Sequence, residues 1–362
     1  MAEILRGESD AMKSTVSIAL CTFNGERFLR EQLASYAAQS QLPDEVVVCD
    51  DGSTDSTLEI LKEWAGTVPF PVRIFRNEQN LGYAQNFGKA VSLCTGDIIF
   101  LSDQDDVWLP EKIEKMVQVF EKETEVVLAV SDAFIMDAQG ERQTGRLREL
   151  TQLWYFDEPA AFCTLDPRPE DCYPQGCASA FRASIRKLFL PIPSLWTHDI
   201  WLQVTAQLAG KGKVVQEPLF SYRLYSGNTS AFGLFEERKR LWEHKRKIHY
   251  WNIPQQYWAW LPRIAQFEER IDRLTSEKQK PIRKRLKQNA VHFTNRNRIQ
   301  RNALLFSVPA LWEIFTGGYF RRPFPMYSLF YDLGLGLRNA ADPRKYAEQW
   351  TLWRERGKKD QK

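Results

Sequence analysis

Between residues 16 and 131 the chain alternates short apolar runs with amphipathic stretches of helical period, and few folds accommodate that pattern. Val16–Cys21 (VSIALC) is apolar throughout and has the length of a strand. Phe28, Leu29, Leu33 and Tyr36 then share one helical face. Glu45–Cys49 (EVVVC) reads as a second buried strand, followed by a helix capped by Asp55 or Ser56 and running through Trp64. Val72–Phe75, a helix over Tyr83–Leu93, Asp97–Leu101 (DIIFL), a helix opened by Pro110 and Val126–Ser131 continue the series. Strands alternating with helices imply an α/β fold, a mainly parallel sheet with helices on both faces. In such sheets the ligand site lies at the carboxyl ends of the strands.

Two acidic clusters fall at those ends. Asp103-Gln104-Asp105-Asp106 directly follows DIIFL. Carboxylates crowded on a strand-end loop repel one another, and a Mg²⁺ or Mn²⁺ bridging them to a diphosphate relieves that repulsion. A solvated turn capping the Pro110 helix is the plainer alternative. The other cluster is Asp50-Asp51-Gly52-Ser53-Thr54-Asp55. Short carboxylates here can accept from a base N–H or from ribose hydroxyls, and Gly52 permits a tight turn. A carboxylate beside a pyrophosphate would be repelled, so Asp50 and Asp51 face the nucleoside on this reading, while Asp55 caps a helix.

VSIALCTFNGERFLREQLASYAAQS, DEVVVCDDGSTDST, NLGYAQNFGKAV and GDIIFLSDQDDVW, in this order and at these spacings, resemble the family 2 glycosyltransferases. The resemblance is strongest to the rhamnosyltransferase-like branch of cell-surface polysaccharide synthesis, and it covers roughly residues 14–230. It implies a GT-A-type, Rossmann-like domain, inversion at the anomeric carbon and a divalent metal, Mn²⁺ or Mg²⁺. It also implies a dTDP- or UDP-sugar donor and a saccharide or lipid-linked saccharide acceptor. By position, Thr22 and Phe23 line the nucleotide pocket, Asp50 or Asp51 meets the base and ribose, Asp103 meets ribose or metal, and Asp105 ligates the metal.

The same resemblance assigns Asp199, within Trp196-Thr197-His198-Asp199-Ile200-Trp201, the role of general base at the start of a helix. Inversion needs one carboxylate opposite the leaving group to take the acceptor hydroxyl's proton. A helix N-terminal carboxylate held by the dipole is the alternative. Trp201 or Trp196 would be a platform for an acceptor sugar, with His198 orienting the acceptor or Asp199. Pro174–Ala178 resembles a small-residue turn beneath the acceptor site, with a plain turn entering a strand as the alternative. Tyr222-Arg223-Leu224-Tyr225 resembles a closing motif that commonly reads Tyr-Arg-x-His. Tyr225 stands where the histidine is expected, and Arg223 is a candidate for the diphosphate or an ordinary strand-edge arginine.

Charge divides the chain. Residues 1–231 hold 21 Lys and Arg against 33 Asp and Glu, a net of −12. Residues 232–362 hold 28 against 13, a net of +15, and bring Trp242, Trp251, Trp258, Trp260, Trp312 and an aromatic run from Phe315 to Tyr331. We therefore divide the chain into a catalytic domain, 14–234, and a basic, Trp-rich, mainly helical region, 235–362. Basic charge interleaved with aromatics suits an anionic membrane surface; packing on the catalytic domain or in a homodimer is the alternative. Nucleic acid is not expected as a partner. All six cysteines lie in the acidic half without zinc-site spacing, which suits structural thiols in a reducing compartment. No secretory signal or clean membrane span is evident, so the expected location is cytoplasmic, peripheral on the inner membrane face. A dinucleotide-dependent dehydrogenase is set aside, because Thr22-Phe23-Asn24-Gly25 replaces the glycine-rich turn after the first strand. A sugar nucleotidyltransferase would carry a Gly-rich basic loop at that point. The remaining alternative is a catalytically inactive nucleotide-sugar-binding or membrane-docking scaffold.

Overall fold

The computed structural model describes residues 14–148, 175–194 and 196–225, with a subset of positions between 266 and 295. The chain divides into two compact units. One takes Met1–Asp157, Pro174–Pro191 and His198–Arg223; the other takes Glu158–Tyr173, Ile192–Thr197 and Leu224–Lys362.

The first unit is built on one nine-stranded sheet. β1 (Val16–Thr22), β2 (Glu45–Asp50), β3 (Val72–Arg76) and β4 (Ile98–Ser102) are joined through α1 (Leu29–Ala37), α2 (Thr57–Ala65) and α3 (Tyr83–Leu93). These strands pair in parallel in the order β3-β2-β1-β4. β1, β2 and β4 are buried along their whole length, as a parallel sheet covered on both faces requires.

Beyond β4 the sheet is mixed. β5 (Val107–Trp108), α4 (Lys112–Lys122), β6 (Val126–Met136) and β7 (Arg142–Arg146) come next. A 3₁₀ turn at Gly176–Ala178 then leads into β8 (Ser179–Arg182), α5 (Arg186–Phe189), α6 (His198–Ala209) and β9 (Lys211–Arg223). β8 runs antiparallel between β4 and β6; β9 is parallel to β6 and antiparallel to β5. The expectation of a mainly parallel sheet therefore describes the first four strands. β9 is one long strand, whose register against β6 shifts between Ser131 and Phe134. Pro218 has no N–H for the ladder there. β7 consists mostly of exposed polar residues and gives no apolar alternation to read.

α4 shows why the helices dock where they do. Its buried Ile113, Met116, Val117 and Phe120 fall at helical spacing on one face. Burying each contributes about 1.5–3 kcal/mol. Pro110 precedes this helix by two residues. Among the described residues no helix is long and apolar enough to cross a membrane. Most of the basic 235–362 region, with Trp242, Trp251, Trp258, Trp260 and Trp312, lies outside the described residues.

Strand register fixes where the functional residues collect. Thr22 pairs with Asp50, and Leu20 with Ser102, so the carboxyl ends of β1, β2 and β4 form one rim. Ala180 pairs with Phe100, which brings the Gly176–Ala178 turn over the same rim.

Candidate active site

The loop after β2 is held by its own carboxylates. Asp50 is fully buried, and its oxygens accept from the Gly52 and Ser53 N–H groups at 3.2 and 2.9 Å, the Thr22 hydroxyl at 2.9 Å and the Ser53 hydroxyl. Four donors exhaust an ionised carboxylate. Gly52 adopts a φ of 86°, open to glycine at little cost, which lets the chain turn back over Asp50. Asp51, also buried, accepts from Asn77 Nδ2 at 2.7 Å and from the N–H groups of Leu81 and Gly82 at 2.8 and 2.9 Å. It retains capacity for about one further donor. Asp55 accepts from the Thr57 N–H at 3.0 Å at the start of α2 and from the Glu26 N–H at 3.1 Å.

Gln104 joins the ends of β1 and β4. Its amide oxygen accepts from the Phe23 N–H at 2.8 Å, and its nitrogen donates to the Phe23 carbonyl at 3.0 Å. The Gln104 side chain is thereby spent on the β1 loop. Phe23 itself is 47 % exposed at the rim. Gly25 is needed here because a Cβ would collide with the Gln104 amide.

Asp103 and Asp105 are half-buried beside the deeply buried Asp106. Burial holds the Asp103 carboxyl well above the usual carboxylate range, and the charges of Asp105, Asp106 and Asp199 add to it. Burial, reinforced by Asp105, pushes Asp106 up to about 7. Asp106 Oδ1 accepts from the Arg223 N–H at 3.2 Å, while Oδ2 has no hydrogen-bond partner. Ligand atoms of Asp103, Asp106 and Cys177 lie within 4.8 Å of one another. Burial pushes the Cys177 thiol up, so it is an S–H group beside both carboxylates rather than a thiolate. An under-compensated group of carboxylates with an orphan oxygen fits a divalent cation.

Beneath this loop lies Lys112, fully buried, its ammonium donating to the Cys177 carbonyl at 2.7 Å. It sits 4.2 Å over the Trp108 ring and 4.0 Å over that of Phe220. Burial lowers its pKa to about 8, against the opposing pull of nearby carboxylates. Lys112 thus opposes part of the negative charge of this acidic loop from inside the protein. Sequence reasoning missed Lys112. Its signal was position: it shares the face of α4 that buries Met116 and Phe120, where a solvated lysine does not belong.

Arg223 differs from its expected role. Its guanidinium is fully buried, donating through Nε to the Asp105 carbonyl at 2.8 Å and through its terminal nitrogens to the Asp137 carbonyl at 3.3 Å and Glu31 at 2.8 Å. It lies 4.4 Å over the Phe28 ring. With these donors directed at the protein, Arg223 braces the Asp105 backbone rather than reaching a diphosphate.

α6 begins at His198 and carries Asp199 in its first turn. Asp199 is half-buried and close enough for its charge to act on Asp103. The His198 ring stacks on Phe87 at 4.0 Å and meets Tyr83 edge-on at 5.8 Å. Burial lowers its pKa, and neither ring nitrogen has a hydrogen-bond partner. Gly176 borders a third side: a Cβ there would collide with the imidazole. Trp201 does not present a platform. It is fully buried, with Nε1 donating to the Phe189 carbonyl at 2.7 Å, because its place on α6 points it into the core against α5. Trp196 is buried too and belongs to the second unit, where its backbone N–H donates to the Pro193 carbonyl at 3.0 Å.

Comparison with known proteins adds three observations. The sequence model of Glycosyl transferase family 2 matches residues 17–189. EpsE of Bacillus subtilis, which carries a glycosyltransferase name, is 30 % identical over 215 residues, 58 % of this chain and 72 % of that protein. An uncharacterized glycosyltransferase of Nostoc sp. is 29 % identical over 218 residues, 59 % of this chain and 66 % of that protein. The chain thus spans about two thirds of the length of these relatives. Among solved structures, S. aureus TarS 1-349 in complex with UDP-GlcNAc aligns with a TM-score of 0.50 at 17 % identity, covering 91 % of this chain and 92 % of that one. That likeness concerns the fold.

Proposed function

This chain belongs to glycosyl transferase family 2, and from that premise we propose that it is a metal-dependent, inverting enzyme serving cell-surface polysaccharide synthesis. The donor is a UDP- or dTDP-sugar and the acceptor a saccharide or lipid-linked saccharide. The observation that carries this reading is the meeting of two kinds of carboxylate at one rim. Asp103 and Asp105 sit on the strand-end loop, and Asp199, on the first turn of α6, is near enough to raise the Asp103 pKa.

In this reading Thr22, Phe23 and the remaining lone pair of Asp51 border the nucleoside, while Asp50 fixes the loop. Asp105 and Asp103 hold Mn²⁺ or Mg²⁺. When bound, the metal neutralises charge on the diphosphate leaving group. Asp199 accepts the proton of the acceptor hydroxyl as that oxygen bonds to the anomeric carbon. The bond from that carbon to the diphosphate oxygen breaks on the opposite face, which inverts the centre. Arg223 and Lys112 keep the acidic loop in place from behind. Docking of the basic 235–362 region on an anionic membrane would bring a lipid-linked acceptor within reach.

The test is a thermal-shift panel of UDP, dTDP, GDP and their sugar conjugates with Mn²⁺, Mg²⁺ or EDTA. A shift for one nucleotide series that needs the metal is expected, and Asp105→Asn should abolish it. Asp199→Asn should keep that shift while transfer falls by about 10²–10⁴-fold. No metal-dependent shift, or near-normal turnover in Asp199→Asn, refutes the assignment.

A further inference from the structure

His198 is confined on three sides yet chemically unused. Phe87 covers one ring face, Tyr83 meets an edge, and Gly176 leaves the imidazole space that no other residue would. The side chain is 7 % exposed, and both Nδ1 and Nε2 lack partners. A neutral imidazole carries one donor and one acceptor, and leaving both empty in a buried place is costly unless something arrives to fill them. A sugar hydroxyl is a donor and an acceptor at once.

Two aromatic rings stand out as strongly exposed among the described residues, Phe23 at 47 % and Tyr83 at 48 %. Phe23 borders the β1 loop clasped by Gln104. Tyr83 occupies the first turn of α3, one turn before Phe87, and so belongs to the His198 side of the rim. The adjoining residue, Asp199, is the proposed base. The charge that acts on His198 is that of Asp199, a carboxylate, which disfavours an anionic group and favours a neutral hydroxylated ring. A pyranose has an apolar C–H face and a rim of hydroxyls. It can lie on the Tyr83 ring while offering a hydroxyl to His198.

We propose that Tyr83 and His198 together form the seat of an acceptor sugar ring, delivering one of its hydroxyls to Asp199. The inference rests on the transferase reading above, and it moves the aromatic platform from the buried Trp201 to Tyr83.

The experiment is saturation-transfer difference NMR on the full chain with UDP and Mn²⁺ present. The probes are the methyl glycosides of glucose, galactose, rhamnose and N-acetylglucosamine. The wild type should transfer saturation to at least one glycoside, mainly to protons of one ring face. Tyr83→Ala should lower that signal at least fivefold and Tyr83→Phe should retain it, with UDP affinity in both variants within twofold of wild type. Circular dichroism confirms that the variants fold. Undiminished glycoside signal in Tyr83→Ala, or no glycoside signal from the wild type, overturns the inference. So does a tenfold loss of UDP affinity in Tyr83→Ala, which would make Tyr83 part of the nucleoside pocket. Wild-type protein lacking metal-dependent nucleotide affinity would instead overturn the transferase reading.

Discussion

Gly176→Ala is a small change with a calculable cost. The glycine sits in a 3₁₀ turn without a left-handed backbone, so alanine meets no conformational barrier there. By itself the exchange would stabilise by about 0.4–1 kcal/mol through the unfolded chain. The added Cβ would lie 3.0 Å from His198 Cδ2 and closer still to Nε2, inside any ordinary contact. The imidazole cannot simply swing aside, because Phe87 stacks on its face at 4.0 Å and the side chain is buried. Overpacking of this kind costs about 1–3 kcal/mol. The net expectation is a loss of about 1–2 kcal/mol, or a Tm lower by about 2–8 °C for a unit of this size.

A second background separates steric conflict from other effects of the turn. In His198→Ala the obstructing ring is gone, so adding Gly176→Ala should be neutral or slightly stabilising. The comparison is a double-mutant cycle by urea denaturation, with an expected coupling above about 1 kcal/mol. An equal cost for Gly176→Ala in both backgrounds would refute the steric account, and with it the claim that the turn fixes His198.

Three further outcomes are expected. Arg223→Lys should destabilise by about 1–3 kcal/mol and weaken Mn²⁺ binding measured by calorimetry, since an ammonium cannot span the Asp105 and Asp137 carbonyls and Glu31 together; unchanged Mn²⁺ affinity would contradict its bracing role. Lys112→Met should cost about 3–5 kcal/mol by leaving Asp106 uncompensated, and Asp106→Asn combined with it should recover much of that loss; strictly additive losses would show the two charges to be uncoupled. The His198 pKa is lowered by burial, so below the ordinary value of about 6.5 the unfolded chain binds a proton that the native ring refuses. Stability should therefore fall as pH drops through that value. His198→Phe, which keeps the stack, should remove this component from pH-dependent melting curves, and an unchanged profile would contradict it.

The parallel half of the fold is legible because its information is local. Apolar runs longer than their polar flanks mark β1, β2 and β4, and the expected bounds of α3 coincide with those observed. The acidic clusters were equally readable as rim residues, since a strand end fixes their place. Their division of labour was not. Asp50 and Asp51 are chemically alike in sequence, but one has four donors around it and the other three, drawn partly from Asn77, Leu81 and Gly82. Arg223 reads as a diphosphate ligand or a strand-edge arginine until its partner Glu31, 192 residues away, is brought to it. Trp201 reads as a platform until the helix phase turns it inward.

The same long-range bonds join the two sides of the proposed reaction. The Asp51 carboxylate holds the N–H groups of Leu81 and Gly82, the two residues that lead directly into α3. From α3, Tyr83 and Phe87 press on His198, the residue before Asp199. One carboxylate beside the nucleoside pocket and the start of the base-bearing helix are therefore referred to a single rigid element. Transfer needs the acceptor oxygen within about 3–3.5 Å of the anomeric carbon and in line with the leaving group. On the proposed reading, a helix anchored just before its first residue by the Asp51 loop, and packed through Tyr83 and Phe87 on His198, would fix that separation before either substrate arrives. The buried, fully hydrogen-bonded Asp50 then has a purpose that its sequence context conceals. Its four donors come from the protein, and they keep the loop carrying Asp51 from drifting.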